Sequence, residues 1–267
     1  MTGIDVFRLR EEAAARALAR PVTPFAGTVE NTEIAEGSGA RAARWYRPTS
    51  ARDQELAVVF LHGGYGVLGD LNLQDGYCRR VASTLGVAVL ATDYRLAPEH
   101  RIGDSAADAI SAARTARASG ARRVVLWGDS AGGAVALEAA RTADATALVL
   151  SNPNVDLSLA GLDATAPGGP DASLSAWAFE RWTGAPLGSA PNLASDVSGL
   201  PPLFAAVGSA DSLVPDAVRL VRAYGEAGLE AALMVIAGAS HGFMGGPDER
   251  AVSRVLRAAR DFVDRLT

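Results

Sequence analysis

From Leu56 onward the chain alternates two kinds of segment. Short unbroken apolar runs are separated by longer stretches in which apolar residues recur every three or four positions. The runs are LAVVFL (56–61), VAVLAT (87–92), RVVLW (123–127), TALVLS (146–151), LFAAV (203–207) and ALMVI (232–236). Helical periodicity occupies 72–85, 104–118, 131–141, 213–227 and 249–265. Strands apolar on both faces, joined by amphipathic helices, predict a mostly parallel sheet covered on both sides. Such sheets place ligands at the carboxyl ends of their strands. A helix over 4–19, with Val6, Leu9, Ala13 and Leu18 along one side, and two strands at 28–34 and 41–46 precede the alternation. The count is about eight strands in one α/β domain spanning 1–267.

Residues 152–200 break the rhythm. They are rich in Pro, Gly, Ser and Asp and hold an aromatic cluster, Trp177, Phe179 and Trp182. An insertion of this length in a compact domain is usually a lid or binding element. The alternation resumes after it and needs the same sheet, which argues against a linker.

Composition narrows the function classes. Net charge is −5 and all 25 basic residues are Arg, a mild acidity that disfavours nucleic acid or an anionic membrane surface as partner. The single cysteine, Cys78, permits no internal disulfide and no Cys-based metal site, and is expected as a small core residue. The first twenty residues mix acids and arginines with no apolar leader, and REEAAARALAR reads as a solvated helix face. No apolar run is long enough to span a bilayer. The expectation is a soluble, cytoplasmic protein without stable membrane association.

The chemistry stands just past the strands. After RVVLW comes Gly128-Asp129-Ser130-Ala131-Gly132-Gly133, then a helix-forming run. This G-x-S-x-G between strand and helix has the form of a nucleophile elbow, whose glycines leave room for a sharp turn lifting the serine above the sheet. Asp129 is expected to point away from the site. A serine hydroxyl needs a base. Of three histidines, His241 follows the last strand and comes after the serine, as the order Ser, acid, His requires. Asp211 lies between them at a strand end, its bland alternative being an N-cap. Asp216 competes, but sits where a helix has begun and is expected to face solvent.

The stretch AVVFLHGGYGVLGD (57–70) ends a buried strand in bare backbone. An acyl-transfer oxyanion needs N–H donors aimed at the developing charge. Gly63 and Gly64, in the loop after the third strand, and Ala131, after the nucleophile, are the expected donors. His62 is read as a scaffold of that loop, and His100 as structural within Asp93–His100.

HGGYGVLGD, DYRLAPEH (93–100), WGDSAGG (127–133), SGLPPLFAAVGSADSLVPD (198–216) and GASHGF (238–243) together resemble the hormone-sensitive-lipase-like family of α/β-hydrolases, over His62 to Phe243. The resemblance implies the α/β-hydrolase fold with a small cap built from about 1–40 and 152–200. It implies a serine carboxylesterase with Ser130 as nucleophile, His241 as base and Asp211 as orienting acid. Gly63, Gly64 and Ala131 would form the oxyanion hole, with no metal or organic cofactor. The family commonly has a third glycine followed by an aromatic residue; here Tyr65 precedes Gly66. The Tyr65 side chain stands beside the pocket, where packing is favoured over substrate contact. Trp177, Phe179 and Trp182 line the pocket or form the cap's own core.

The reaction expected is hydrolysis of small to medium acyl esters through an acyl-enzyme on Ser130. One rival is a non-hydrolytic elimination or cyclisation using the same base and oxyanion hole. Another is an idle small-molecule binder, as in the plant gibberellin receptors, which resemble the family but lack the histidine. The expected partner is a small-molecule ester, with a homodimer left open.

Overall fold

The structure is a computed structural model and describes residues 4–36 and 39–266. Eight strands form one sheet: β1 (Gly27–Glu36), β2 (Gly39–Pro48), β3 (Leu56–Leu61), β4 (Ala88–Thr92), β5 (Arg123–Asp129), β6 (Ala147–Ser151), β7 (Leu203–Gly208) and β8 (Ala231–Ile236). Their order is β1-β2-β4-β3-β5-β6-β7-β8. The pairs β1–β2 and β2–β4 are antiparallel, and every other pairing is parallel. The expected mostly parallel sheet is present. Residues 27–36 and 39–48 belong to it, so among the described residues of the first forty only those before Gly27 lie outside the sheet.

The helices are α1 (Val6–Leu18), α2 (Asp75–Leu85), α3 (Ile102–Ala118), α4 (Ala131–Ala140), α5 (Ala172–Thr183), α6 (Val214–Glu226) and α7 (Glu249–Arg265). Strand alternation divides the core into two layers. Ala57, Val59 and Leu61 of β3 join the layer holding α3 and α4, while Leu56, Val58 and Phe60 join the layer holding α2 and α7. Cys78 is buried in the second layer, and burial pushes its thiol well above the ordinary range.

Two helices depart from expectation. The pattern at 4–19 places Leu18 on the buried side, but Leu18 is 71% exposed. The buried face of α1 runs through Val6, Ala13 and Ala17 instead. Helix α5 lies inside the irregular insertion. Its ends carry ordinary signals: Asp171 accepts from the Leu174 N–H at 2.7 Å, and Gly184 closes it in the left-handed conformation.

Helix α4 packs unusually close to the sheet. A Cβ on Gly132 would lie 2.0 Å from the Leu61 carbonyl oxygen, and one on Gly128 would lie 2.3 Å from the Gly132 oxygen. These approaches bring the start of α4 against the end of β3, so that the loops after β3 and β5 lie side by side. Gly132→Ala should therefore force β3 and α4 apart. A melting temperature lower by at least about 5 °C in thermal denaturation is expected, the usual consequence of overpacking.

Candidate active site

Ser130 stands between β5 and α4 with φ 53° and ψ −117°, a conformation that L-residues rarely adopt. Its backbone is held at both ends. The Ser130 N–H donates to the Ser151 carbonyl at 2.9 Å, and the Ser130 carbonyl accepts from Gly133 at 2.9 Å and Asn154 at 3.1 Å. The side chain is thereby presented at the carboxyl end of the sheet.

Its hydroxyl Oγ is 2.9 Å from His241 Nε2, and His241 Nδ1 is 2.8 Å from Asp211 Oδ2. Asp211 is 1% exposed, and its other oxygen accepts the Leu213 N–H at 3.0 Å. The Asp211 carboxylate is thus fixed by a backbone donor while it orients the imidazole. The three residues come from the turns after β5, β7 and β8 and meet within hydrogen-bond reach.

Asp216 does not face solvent as expected. It is 2% exposed, and one carboxylate oxygen accepts the N–H groups of Val155 (2.8 Å) and Asp156 (2.9 Å). Burial, opposed by those two bonds, pushes its pKa to about 6. Asp216 anchors the loop after β6, which a place in the first turn of α6 allows because that helix end packs inward.

Glycine 63 also departs from its expected role. Its N–H donates to Gln74 Oε1 at 2.9 Å rather than standing free. Gln74 in turn donates to Asp129, whose other oxygen accepts from Ser151 Oγ. Tyr77 OH lies 3.1 Å from Ser151 Oγ and accepts from Trp127 Nε1 at 2.9 Å. This buried chain ties the loop after β3 to the elbow beneath Ser130. Burial raises the Asp129 carboxyl, opposed by the Ser151 and Gln74 bonds. The two Asp129 carboxylate oxygens are thus taken by Gln74 and Ser151. Among the described residues, none accepts from the backbone N–H of Gly64, Tyr65 or Ala131. No motif marked Gln74, Ser151 or Tyr77, because their roles arise only when α2 and β6 pack beside the elbow.

His62 is the scaffold it was expected to be. Its Nδ1 lies 2.8 Å from the Gly63 carbonyl, its ring stacks on Tyr94 at 4.3 Å, and its carbonyl accepts from Tyr94 OH at 2.6 Å. Burial lowers its pKa from the ordinary value, against the pull of the Gly63 carbonyl and the nearby carboxylates. The Asp93–His100 loop is held chiefly through Arg95, which pairs with the buried Asp108 carboxylate at 2.9 Å. His100 contributes a backbone N–H to Leu96.

Both flanking segments dock on these loops. In α1, Arg10 donates to the carbonyls of Val67 and Ala97, each at 2.8 Å, and pairs with Glu99 at 2.7 Å. In α5, Trp182 lies against Gly66, where a Cβ would meet its ring at 2.4 Å, and donates to Ser105 Oγ at 3.0 Å. The Tyr65 hydroxyl accepts the Asp171 N–H at 3.1 Å. Phe179 and Trp182 are fully buried in the core, whereas Trp177 and Tyr65 are partly exposed at its margin. Among the described residues no helix is long and apolar enough to cross a membrane.

A family defined by the α/β hydrolase fold matches residues 58–245. Esterase LipI of Mycobacterium tuberculosis is 32% identical, over 91% of this chain and 82% of its own. Ethyl acetate hydrolase of Pseudomonas putida is 32% identical, over 75% of this chain and 70% of its own. A crystal structure of an esterase from the bacterial hormone-sensitive lipase family superposes with a TM-score of 0.85 at 25% identity, covering 98% of this chain and 93% of that one.

Two outcomes test the supporting interactions. Gln74→Leu leaves the Gly63 N–H and one Asp129 oxygen without partners, each buried loss costing about 1–3 kcal/mol. Its melting temperature should fall by at least about 4 °C. Asp216 titrates at about 6 when folded, against an ordinary value of 3.8. Between those values the folded chain holds the extra proton, so this group's contribution to stability declines as pH rises through the interval. Asp216→Asn lacks that decline. Thermal melts of both proteins across the interval should show the difference in melting temperature moving in the variant's favour as pH rises.

Proposed function

The chain belongs to the α/β-hydrolase family and hydrolyses carboxylic esters, and we propose that it does so through an acyl-enzyme on Ser130. The observation that carries this reading is the continuous line from Ser130 Oγ through His241 to Asp211, at 2.9 and 2.8 Å. His241 accepts the hydroxyl proton as Oγ bonds to the acyl carbon. The carbonyl π pair moves onto oxygen, forming the tetrahedral oxyanion. Asp211 holds the imidazole with Nδ1–H toward itself, so that Nε2 is the free base, and stabilises the imidazolium that forms.

Gly64, Tyr65 and Ala131 supply the N–H groups for that oxyanion. All three amides are free of protein acceptors among the described residues, whereas Gly63 is committed to Gln74. Preorganised donors of this kind are worth about 10²–10³ in rate each. Gly63 thus belongs to the frame of the hole and Tyr65 to its rim. When the intermediate collapses, the alkoxide leaves with the proton from His241. Water, deprotonated by the same histidine, then releases the acid.

Helices α1 and α5 with their flanking turns form a small cap over this end of the sheet. Support comes from their docking, through Arg10, Trp182 and Tyr65, on the same loops that carry the site. A cap this small favours short and medium acyl chains, with the partly exposed Trp177 and Tyr65 at the pocket margin.

Hydrolysis of p-nitrophenyl esters from acetate to octanoate tests the reading. Activity should be highest at the short end, and Ser130→Ala should lose more than about 10⁴-fold in kcat. Turnover preserved in the folded variant would sink the nucleophile assignment.

A further inference from the structure

Asn154 lies directly behind the nucleophile, in the loop that follows β6. Its backbone N–H donates to the Ser130 carbonyl at 3.1 Å, and its side-chain Oδ1 is 3.3 Å from Ser130 Oγ. The residue is 2% exposed, and its Nδ2 has no hydrogen-bond partner among the described residues. The next two backbone N–H groups, of Val155 and Asp156, are gripped by the buried Asp216 carboxylate. A rigid backbone therefore holds a primary amide against the reacting oxygen.

Folding does not explain that amide. A buried NH₂ without a partner is unfavourable, and an apolar residue of similar shape would avoid the loss. The reacting hydroxyl supplies a reason. It carries one proton and faces two acceptors, His241 Nε2 at 2.9 Å and Asn154 Oδ1 at 3.3 Å. During attack the proton passes to His241 and Oγ becomes electron-rich, so an amide oxygen at that distance would repel it. A half-turn about the Asn154 Cβ–Cγ bond exchanges oxygen for NH₂ without changing the shape of the side chain.

We propose that Asn154 is a further catalytic residue, which faces the resting Ser130 hydroxyl with Oδ1 and, after a half-turn, donates Nδ2–H to Oγ as the proton leaves for His241. The donated hydrogen bond stabilises Oγ while its bond to the acyl carbon forms and the carbonyl π pair moves onto oxygen. It acts again in deacylation, when Oγ departs from the acyl carbon and recovers its proton from His241. The proposal rests on the reading of Ser130 as the nucleophile of ester hydrolysis.

Stopped-flow acylation with p-nitrophenyl acetate, run on wild type, Asn154→Leu, Asn154→Asp and Ser130→Ala, tests it. A hydrogen bond to an oxygen gaining charge predicts an acylation rate constant about 10- to 100-fold lower in Asn154→Leu. KM should change little, and the melting temperature should stay level or rise. Asn154→Asp keeps the shape and loses the N–H when ionised. It should acylate as slowly as the leucine variant, with the acid limb of its rate–pH profile moved to higher pH by the added charge beside His241. Wild-type acylation in either folded variant would overturn the proposal, as would a rise in KM with kcat unchanged. Should Asn154→Leu fail to fold, Asn154→Asp decides alone. A burst that persists in Ser130→Ala would instead overturn the nucleophile assignment, so the two failures are distinguishable.

Discussion

The backbone of Ser130 is the constraint on which the rest depends. A non-glycine residue at φ 53° and ψ −117° costs about 1–3 kcal/mol and persists only where its surroundings over-determine it. Here they do so from three directions. Strand β6 takes its N–H through Ser151, the first turn of α4 and the loop after β6 both bond its carbonyl, and Gly128 and Gly132 let the helix close on the strand ends. Each of these partners also leads to a residue that lies beside Ser130. Ser151 holds Asp129, α4 begins with Ala131, and the loop after β6 brings Asn154.

Electrostatics around the serine are arranged in two tiers. The upper tier is the hydrogen-bonded line from hydroxyl to imidazole to carboxylate. Beneath it a second carboxylate, Asp129, is buried and bonded by Gln74 and Ser151. Its bonds run to Gln74 and Ser151 rather than to Ser130, His241 or Asp211, and through them it ties the loop after β3 to the elbow. Asp216 plays the corresponding part for the loop after β6. Acidic groups that look interchangeable along the chain thus divide by partner: Asp211 faces an imidazole, Asp129 side-chain donors, and Asp216 backbone amides.

That division explains what was legible in the sequence. Strand and helix order could be read because each buried strand is an unbroken apolar run, and Ser130, Asp211 and His241 because each follows such a run closely. Helix α5 was obscured by the Pro- and Gly-rich residues around it, although Asp171 and Gly184 bracket it with ordinary cap chemistry. The donor role expected of Gly63 could not be separated from that of its neighbour by sequence, since the distinction depends on Gln74 arriving from the start of α2. Asp216 was misplaced because helical position alone does not tell which face meets the β6 loop. Asn154 carries no signal at all until the loop is folded against Ser130.

Cys78 has a consequence of a different kind. It is the chain's one thiol, it is buried between α2 and the sheet, and its pKa is raised by that burial. The folded molecule therefore shields this thiol from an alkylating reagent, whereas the unfolded chain exposes it. Under native conditions the slow uptake of such a reagent counts openings of the α2 layer. The same silence makes any cysteine introduced on α5 the sole labelling position, so a fluorophore there reports on that helix without removal of the native residue.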